Sequence, residues 1–392
     1  MGEGARRDDD WSGQRSQFGL LDRCIYFNAC SLGPLPRRGR EAIDECLRVW
    51  DEAGTPVWHR SWMPTLAVLR ARFGRLICAS GEGIALAPSV SVALSVVATA
   101  MLASTDRRRV LIGELDFPTL AYPFLSRPDV EVEFVRSEDG STIPPEAFVD
   151  RIDDRVAVVA TTHLFYTTGY LQDVRPIAEA ARAAGAMTLI DGYQTVGCVP
   201  VDVSQLDCDV FVAGALKWLS GGPGTAFTWC RPDVLPALQP AGVTGWFGSR
   251  EPLAFDLEHL EFAPNGRRFE TGTWPMPSHA AALAGVDLVL GVGVDRIAAR
   301  LREITTYVLE RCRAAGLPAL TPLEPKRRCG IVSLTCEDPD TVERELAAAG
   351  VIVDARPGIL RLSPHWALTD TEVCRGMDAV EACMASRARS GR

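Results

Sequence analysis

The residue in this sequence whose type and position most clearly suit a chemical reaction is Lys217. It follows a buried-looking strand and precedes a glycine-rich turn in VFVAGALKWLSGGPGTAF, residues 210–227. Burying an ammonium group without a partner is costly, so a lysine at the end of an apolar run needs a chemical reason to be there. Formation of a Schiff base with a carbonyl group is such a reason. A carboxylate, Asp191, comes directly after another apolar segment, MTLI.

Both residues are predicted to leave their strands at the carboxyl end. Open α/β sheets bind ligands at the carboxyl ends of parallel strands. If the two strands belong to one sheet, the amine of Lys217 and the carboxylate of Asp191 face the same crevice. Pyridoxal phosphate needs such a pair, because a lysine holds its aldehyde and a carboxylate keeps its ring nitrogen protonated. An ion pair at the edge of the sheet would explain the same two residues.

A phosphate site is predicted where Pro88-Ser89-Val90-Ser91 opens an apolar helix. Two hydroxyls and free backbone amides at the positive end of a helix bind phosphate well. A serine that caps the helix without any ligand would explain the same residues. The sequence has no G-x-G-x-x-G motif, which gives a dinucleotide enzyme little support.

Phe117 and Arg361 are two further residues whose types and positions suit ligand binding. Phe117 follows a predicted strand in GELDFPTLAYP, where its ring can lie flat against an aromatic ligand. A phenylalanine after a strand is also an ordinary core residue. Arg361 lies in the apolar strand of GILRLSPHW, where a guanidinium needs a carboxylate partner. Either a substrate carboxylate or a structural salt bridge would fill that role.

The segments that carry these residues alternate between strand-like and helix-like patterns. Strands are predicted at residues 83–87, 110–115, 130–135, 156–162, 187–190, 210–213 and 225–229. This alternation of strands and helices predicts an α/β fold with a mostly parallel sheet covered by helices on both faces. A helical stretch from residue 278 to about 315 then leads to a smaller α+β unit. We therefore divide the chain into an N-terminal arm (1–24), a large domain (25–277), and a linking helix with a small C-terminal domain (278–392).

The composition, net charge and cysteine spacing argue against several classes of protein and of site. A chain of 392 residues with 47% hydrophobic content can bury a full core. The net charge of -9 and the pI near 5.2 give no basic field for nucleic acid, so no such partner is expected. The N-terminal residues lack the apolar core of a signal peptide and no apolar run is long enough for a bilayer, which predicts a cytoplasmic protein without a membrane partner. The 12 cysteines show no paired C-x-x-C spacing, so no metal site is expected.

The order of these motifs resembles that of the class V aminotransferases, which are pyridoxal-phosphate enzymes of fold type I, and most closely that of kynureninases. Cysteine desulfurases and isopenicillin N epimerases are similar but less close. The resemblance implies a large cofactor-binding domain, a small C-terminal domain and a homodimer with its sites near the subunit boundary. The matching segments cover most of the chain and are YFNACSLGPLP, PSVSVAL, LDFPT, HLFYTTGYLQDV, DGYQTVG, ALKWLSGGPG, GWFG, RRFETGT and ILRLSP.

The resemblance also implies roles around the cofactor ring. Lys217 would hold pyridoxal 5'-phosphate and later move the substrate proton. Asp191 would pair with the ring nitrogen, and Phe117 would stack on the ring. Gln194 would hydrogen-bond the ring oxygen or the region of the Schiff base, and Tyr166 would approach the cofactor.

Further roles are implied at the phosphate and the substrate. The Val90 amide and Ser91 would hold the phosphate. Thr273 and Trp246 would reach the phosphate of the partner subunit. Arg361 would hold the carboxylate of an amino-acid substrate.

Three positions depart from the family patterns. Leu216 stands where kynureninases have tyrosine and desulfurases have histidine, and Gln194 stands where kynureninases have histidine. Gly214 stands where desulfurases have a serine, so the phosphate site has fewer side-chain donors than usual. No cysteine lies between the predicted strands VIVDA and ILRLSP, where desulfurases carry their reactive thiol. Persulfide chemistry on a protein thiol is therefore not expected.

These features favour a kynureninase-like lyase or hydrolase that joins an amino-acid substrate to its cofactor. It would cleave a C–S or C–C bond at the beta or gamma carbon of a modified amino acid. Transamination and epimerisation are the alternatives among enzymes. A protein that binds pyridoxal phosphate without turnover is the alternative from another class.

Overall fold

The computed structural model describes residues 11–240 and 242–390. Its strands are β1 (Ile25–Tyr26), β2 (Ile84–Ala87), β3 (Arg109–Gly113), β4 (Glu131–Val135), β5 (Val156–Thr162), β6 (Met187–Asp191), β7 (Val210–Gly214), β8 (Ala226–Cys230), β9 (Val332–Thr335), β10 (Val351–Ile352), β11 (Asp354–Arg356) and β12 (Ile359–Leu362). Its α-helices are α1 (Arg37–Ala53), α2 (Met63–Leu76), α3 (Val90–Ala103), α4 (Pro118–Leu125), α5 (Pro145–Val149), α6 (Arg175–Ala183), α7 (Val203–Leu206), α8 (Met276–Val292), α9 (Val294–Ala314), α10 (Pro339–Ala348) and α11 (Asp370–Ser390).

The large sheet has seven strands in the order β2-β8-β7-β6-β5-β3-β4. β8 runs antiparallel to both of its neighbours, and the other neighbouring pairs are parallel. The predicted α/β fold with a mostly parallel sheet is therefore confirmed. Because β5, β6 and β7 are adjacent and parallel, their carboxyl ends lie side by side at one edge of the sheet.

Both faces of this sheet are covered, as the near-continuous apolar runs of its strands require. Successive residues of a strand point to opposite faces. Leu189 and Val212 accordingly share one core cluster with α3. Ile190 and Phe211 belong to a second cluster that includes residues of α8 and α9.

The C-terminal part forms a separate antiparallel sheet in the order β11-β12-β9, packed with α9 and α10. β1 pairs in parallel with β10, so the segment that precedes the large sheet is tied to the C-terminal part. Trp11 meets Trp366 edge-on at 5.7 Å, and Arg15 binds Glu372 at 2.7 Å. The described part of the predicted N-terminal arm, residues 11–24, is thus packed against the C-terminal part, while residues 1–10 of that arm lie outside the described residues. The domain limits themselves stay a prediction.

Two predicted elements are divided in the structure. The single helix expected from residue 278 to about 315 is broken into α8 and α9 at Gly293, whose φ of 92° is a conformation that glycine adopts without a steric penalty. The expected strand VIVDA is split because β10 pairs with β1 whereas β11 pairs with β12. Within residues 11–240 and 242–390, no helix is both long and apolar enough to cross a bilayer.

Candidate active site

The carboxyl edge of the large sheet opens onto a cavity of about 290 Å³. Asp191 is the last residue of β6, and Lys217 follows the end of β7 by three residues. Of the ten site residues predicted from the sequence, eight line this cavity: Val90, Ser91, Phe117, Tyr166, Asp191, Gln194, Lys217 and Arg361. A larger cleft of about 750 Å³ runs along residues 244–261 and contains neither Lys217 nor Asp191.

The amine of Lys217 lies between two aromatic rings. Its Nζ is 4.2 Å from the centroid of the Tyr193 ring and 5.8 Å from that of Phe117. Burial lowers the pKa of Lys217 to about 8, and this effect outweighs the opposing attraction of Asp191. A larger fraction of this amine is therefore neutral near neutral pH than for an ordinary lysine. A neutral amine is the form that attacks a carbonyl group.

Asp191 is buried at the floor of the cavity, where its Oδ1 accepts a hydrogen bond from the Tyr193 amide at 2.8 Å. Burial raises the pKa of Asp191, while the Tyr193 amide and the charge of Lys217 lower it. In the described part of the chain, Lys217 and Asp191 form no ion pair within 4.0 Å. A direct ion pair at the sheet edge therefore does not account for these two residues.

Gln194 is held in place by two protein partners. Its Nε2 donates to the Cys30 carbonyl at 3.0 Å, and its Oε1 accepts from Trp218 Nε1 at 3.1 Å. The amide nitrogen has a second N–H, which is available to a ligand in the cavity. The sequence analysis did not predict a role for Trp218. The one feature of the sequence that could have indicated it is its position directly after Lys217.

Arg361 forms a structural salt bridge and also lies at the wall of the cavity. Its guanidinium binds Asp354 through Nε at 2.7 Å and through Nη2, and its Nη1 donates to the Tyr166 carbonyl at 2.7 Å. The structural salt bridge is therefore present. The same guanidinium lines the cavity and has two N–H groups left for a ligand.

Arg356 lines the cavity but was not predicted from the sequence. Its Nη2 is 3.1 Å from Asp354 Oδ1, so Arg356 and Arg361 share one carboxylate. The two guanidiniums leave a net positive charge on this side of the cavity, which suits a carboxylate ligand. The predicted strand VIVDA ended one residue before Arg356, which is why the sequence pattern left it out.

Phe117 and Tyr166 form the aromatic wall. The Phe117 ring is 44% exposed and meets Tyr166 edge-on, with centroids 5.1 Å apart and planes at 86°. A large ring that stays exposed in a cavity is available for stacking on a flat ligand.

Behind this wall, Asp116 ties two strand ends together. It is buried and accepts hydrogen bonds from the Gly113 amide at 2.9 Å and from the Thr162 amide at 2.7 Å. Burial raises the pKa of Asp116 to about 8. Asp116 thus fixes the ends of β3 and β5, from which Phe117 and Thr162 reach the cavity.

The first turn of α3 forms the opposite end of the cavity. Ser89 caps the helix by accepting a hydrogen bond from the Val92 amide at 3.2 Å. The first amides of a helix have no partner inside it and attract anions. The Ser91 hydroxyl lies 3.3 Å from Thr119 Oγ1, and Thr119 is a cavity residue that the sequence reading did not name.

Trp246 and Thr273 lie outside the cavity of their own chain. Trp246 lines the separate cleft at residues 244–261, packs against Phe247 with centroids 3.9 Å apart, and is 40% exposed. Thr273 is exposed at the surface. Neither side chain reaches Lys217 within one subunit.

Gly33 supports Lys217 from the N-terminal segment, and we expect Gly33→Ala to be destabilising. The Gly33 amide donates to the Leu216 carbonyl at 2.8 Å, and a Cβ at this position would lie 1.9 Å from the Lys217 carbonyl oxygen. Overpacking against a backbone atom should lower the free energy of unfolding by about 2 kcal/mol or more. Thermal unfolding of the two proteins measures this effect.

Gly291→Ala is the matched control, because Gly291 lies in α8 with open space where its Cβ would be. Alanine is the better helix former, so this variant should be at least as stable as the native protein. Equal stability of Gly33→Ala and the native protein would show that the close contact at Lys217 is wrong.

These residues fit pyridoxal phosphate. Lys217 supplies the amine, Asp191 the buried carboxylate for a ring nitrogen, and Phe117 the exposed ring. The first turn of α3 supplies anion-binding amides for the phosphate. Across the described residues, no group of three or more His, Cys, Asp or Glu side chains is placed to hold a metal ion.

Comparisons with known proteins agree with this fit. The sequence model of the aminotransferase class-V family matches residues 60–371. An uncharacterized aminotransferase of Bacillus subtilis, YcbU, is 31% identical over 80% of this chain and 82% of its own length. A kynureninase of Burkholderia mallei is 31% identical over 91% of this chain and 88% of its own length.

Two solved structures share the fold. A complex of the cystine C–S lyase C-DES with its product cysteine persulfide has a TM-score of 0.84 at 20% identity, covering 93% of this chain and 99% of that one. An apo cysteine desulfurase from Thermococcus onnurineus NA1 has a TM-score of 0.84 at 19% identity, covering 94% and 96%.

Proposed function

The chain belongs to the aminotransferase class-V family of pyridoxal-phosphate enzymes, and from this premise we propose that it is a kynureninase-like lyase or hydrolase. It would cleave a C–S or C–C bond at the beta or gamma carbon of a modified amino acid. The observation that carries the proposal is that Lys217, Asp191 and Arg361 line one cavity at the carboxyl edge of the sheet.

Different residues would bind the carboxylate of an amino-acid substrate and act on its alpha carbon. Arg361 would bind the substrate carboxylate through the two N–H groups that Asp354 and Tyr166 leave available. This contact orients the alpha carbon toward Lys217, and such orientation contributes to the rate as strongly as basicity does. Arg356 adds positive charge on the same side and favours binding of an anion.

Lys217 would take the proton from the alpha carbon and deliver a proton later in the reaction. When bound, pyridoxal phosphate supplies an aldehyde that holds amines and a protonated ring that accepts electrons. Asp191 would stabilise the protonated ring nitrogen by its negative charge. Gln194, fixed by Trp218, would donate its second N–H to the ring oxygen, and Phe117 would keep the ring flat in the cavity.

The C-terminal sheet supports bond cleavage without a persulfide at the position of the desulfurase thiol. The turn between β11 and β12 is Pro357-Gly358, so no thiol lies where a desulfurase carries one. Cys329, which precedes β9, is buried and donates to the Cys198 carbonyl at 3.4 Å.

We also propose a homodimer in which Trp246 and Thr273 reach the phosphate bound to the partner subunit. Both side chains are accessible at the surface and lie outside their own chain's cavity. Leu257, which is 98% exposed, lies in the same surface region with the exposed residues Leu253, Phe255 and Leu260. Apolar surface of this kind is typical of an interface. A cytoplasmic location is part of the same proposal.

Product analysis tests the reaction. The holoenzyme is incubated with sulfur-substituted and aryl-substituted amino acids, with and without a keto-acid acceptor. A lyase or hydrolase releases the side-chain fragment without any acceptor. Strict dependence on the acceptor would instead identify an aminotransferase, and inversion of the alpha carbon alone would identify an epimerase. A protein that binds the cofactor but converts none of these compounds would contradict the proposal.

We expect Arg361→Gln to weaken substrate binding. A hydrogen-bonded charge pair with the substrate carboxylate contributes about 1.5–3 kcal/mol, so KM should rise about 10- to 100-fold while kcat falls less. Steady-state kinetics with the compound that the product assay identifies provides both values. Asp354 keeps Arg356 as a partner, so it is not left as an unpaired buried charge.

Arg328→Gln is the control for the loss of a buried guanidinium. Arg328 is buried and binds the hydroxyls of Thr305 and Thr306, away from the cavity. Its replacement should lower Tm and leave KM unchanged. The role of Arg361 in substrate binding is wrong if Arg361→Gln leaves KM within threefold of the native value.

A further inference from the structure

Tyr193 is a cavity residue to which neither the sequence motifs nor the proposed reaction gives a role. It follows Asp191 by two residues and lines the cavity together with Ser89, Val90 and Ser91 of the phosphate end. Its backbone amide donates to Asp191, and its ring lies beside Gly214 at the end of β7.

The Tyr193 ring occupies the space of a missing side chain. A Cβ built on Gly214 would lie 2.5 Å from Tyr193 Cε2, 2.7 Å from Tyr193 Cζ and 3.0 Å from Val90 Cγ2. Cζ is the atom that carries the phenol hydroxyl. The hydroxyl therefore lies near the place where the side chain of residue 214 would be, beside the first residue of α3.

This hydroxyl is available to a ligand. Among the described residues, the Tyr193 hydroxyl has no hydrogen-bond partner, since the one hydrogen bond of Tyr193 outside regular structure is that of its amide. Burial raises the pKa of Tyr193, so the phenol stays protonated and can donate to an anion at neutral pH. The first-turn amides of α3 attract an anion to the same end of the cavity.

We propose that the Tyr193 hydroxyl donates a hydrogen bond to the cofactor phosphate and replaces the side-chain donor that Gly214 lacks. Gly214 and Tyr193 then form one unit, because the glycine leaves the room that the phenol ring fills. The proposal rests on the cofactor and not on the reaction that follows, so failure of the lyase assignment leaves it intact.

A role of the ring alone is the rival explanation. Lys217 Nζ lies 4.2 Å from the Tyr193 ring centroid, and this contact stabilises the lysine without any use of the hydroxyl. Tyr193→Phe separates the two roles, since it removes only the hydroxyl and keeps the ring over both Lys217 and Gly214.

The experiment measures cofactor affinity in full-length protein from which the cofactor has been removed. Each variant is titrated with pyridoxal phosphate and with pyridoxal, which has the aldehyde and ring but no phosphate. For Tyr193→Phe we expect the Kd of pyridoxal phosphate to rise about 10- to 100-fold, as for loss of a hydrogen bond to a charged group. The Kd of pyridoxal should stay within about twofold, because the lost donor faces the phosphate. The phosphorus NMR signal of the bound cofactor should also shift.

A pair of variants at position 214 provides the second test. Gly214→Ser alone should weaken binding of both ligands, because the new side chain collides with the Tyr193 ring. Tyr193→Ala should bind pyridoxal phosphate at least as weakly as Tyr193→Phe. Adding Gly214→Ser to Tyr193→Ala should recover at least tenfold of the lost affinity, since the serine has both room and a hydroxyl.

Three results overturn the proposal. One is an unchanged affinity of Tyr193→Phe for pyridoxal phosphate, and another is an equal loss for pyridoxal phosphate and pyridoxal. The third is a folded double variant, shown by its native Tm, in which the serine recovers nothing. Binding of neither ligand to the native protein would instead overturn the cofactor assignment itself, which is a distinguishable outcome.

Discussion

Lys217→Ala should abolish the visible absorption of the purified protein and lower turnover by on the order of 10³-fold or more. Lys217 is the amine that lies in the cavity with Asp191, and in the proposed reaction it both holds the cofactor and acts as the general base. The variant should fold normally, because alanine removes a charge whose burial is unfavourable, as the lowered pKa of Lys217 shows. Absorption spectra, Tm and steady-state rates measure the three effects.

The chain offers a clean control for this experiment. It has two lysines, Lys217 and Lys326, and only the first lines the cavity. Lys326→Ala should therefore keep the absorption band and the native rate. Borohydride reduction of the native holoenzyme, followed by peptide mass analysis, should place the cofactor mass on the peptide that contains Lys217. Label on the Lys326 peptide, or a native absorption band in Lys217→Ala, would contradict the assignment of Lys217.

The sheet and its polar strand ends were predictable from the sequence because they depend on local patterns. β5, β6 and β7 are short apolar runs that are buried along nearly their whole length, and such runs have few other structures open to them. Asp191 and Lys217 stand out because each interrupts such a run at its end. The parallel arrangement then brings them to one edge without any further information.

The missed residues depend on contacts between distant parts of the chain. Arg356 reaches the cavity because β11 pairs with β12 and both guanidiniums meet Asp354. Trp218 is placed by its hydrogen bond to Gln194, which lies 24 positions earlier. These contacts depend on shape and pairing rather than on a local pattern, so a single sequence does not reveal them.

Gly214 shows that the role of a residue can be misjudged when the side chains packed against it are unknown. In the sequence, glycine at this position appears as the loss of a phosphate donor. In the structure, the Tyr193 ring fills the space that glycine leaves, so the two residues are complementary in volume. A departure from a family motif therefore has to be judged together with the side chains that pack on it.

Asp191→Asn should lower kcat by on the order of 10²-fold or more while the protein stays folded. The amide oxygen of asparagine can still accept the hydrogen bond from the Tyr193 amide, so the backbone geometry is kept. The lost element is the negative charge that would stabilise a protonated ring nitrogen. Because the charge of Asp191 raises the pKa of Lys217, its removal should also lower that pKa below its native value of about 8. The pH dependence of cofactor uptake by the cofactor-free variant measures this second effect.

Asp209→Asn separates loss of chemistry from loss of folding. Asp209 is also buried beside the large sheet, where it accepts a hydrogen bond from the Thr188 amide at 2.7 Å and binds Arg231 at 2.9 Å, but it lies outside the cavity. Its variant should have a lower Tm with an unchanged spectrum and an unchanged pKa of Lys217. If Asp191→Asn kept its kcat within threefold of the native value, Asp191 would not be the partner of the ring nitrogen. Asp191 would then serve the amine alone, and the shift in the pKa of Lys217 would remain without a loss of rate.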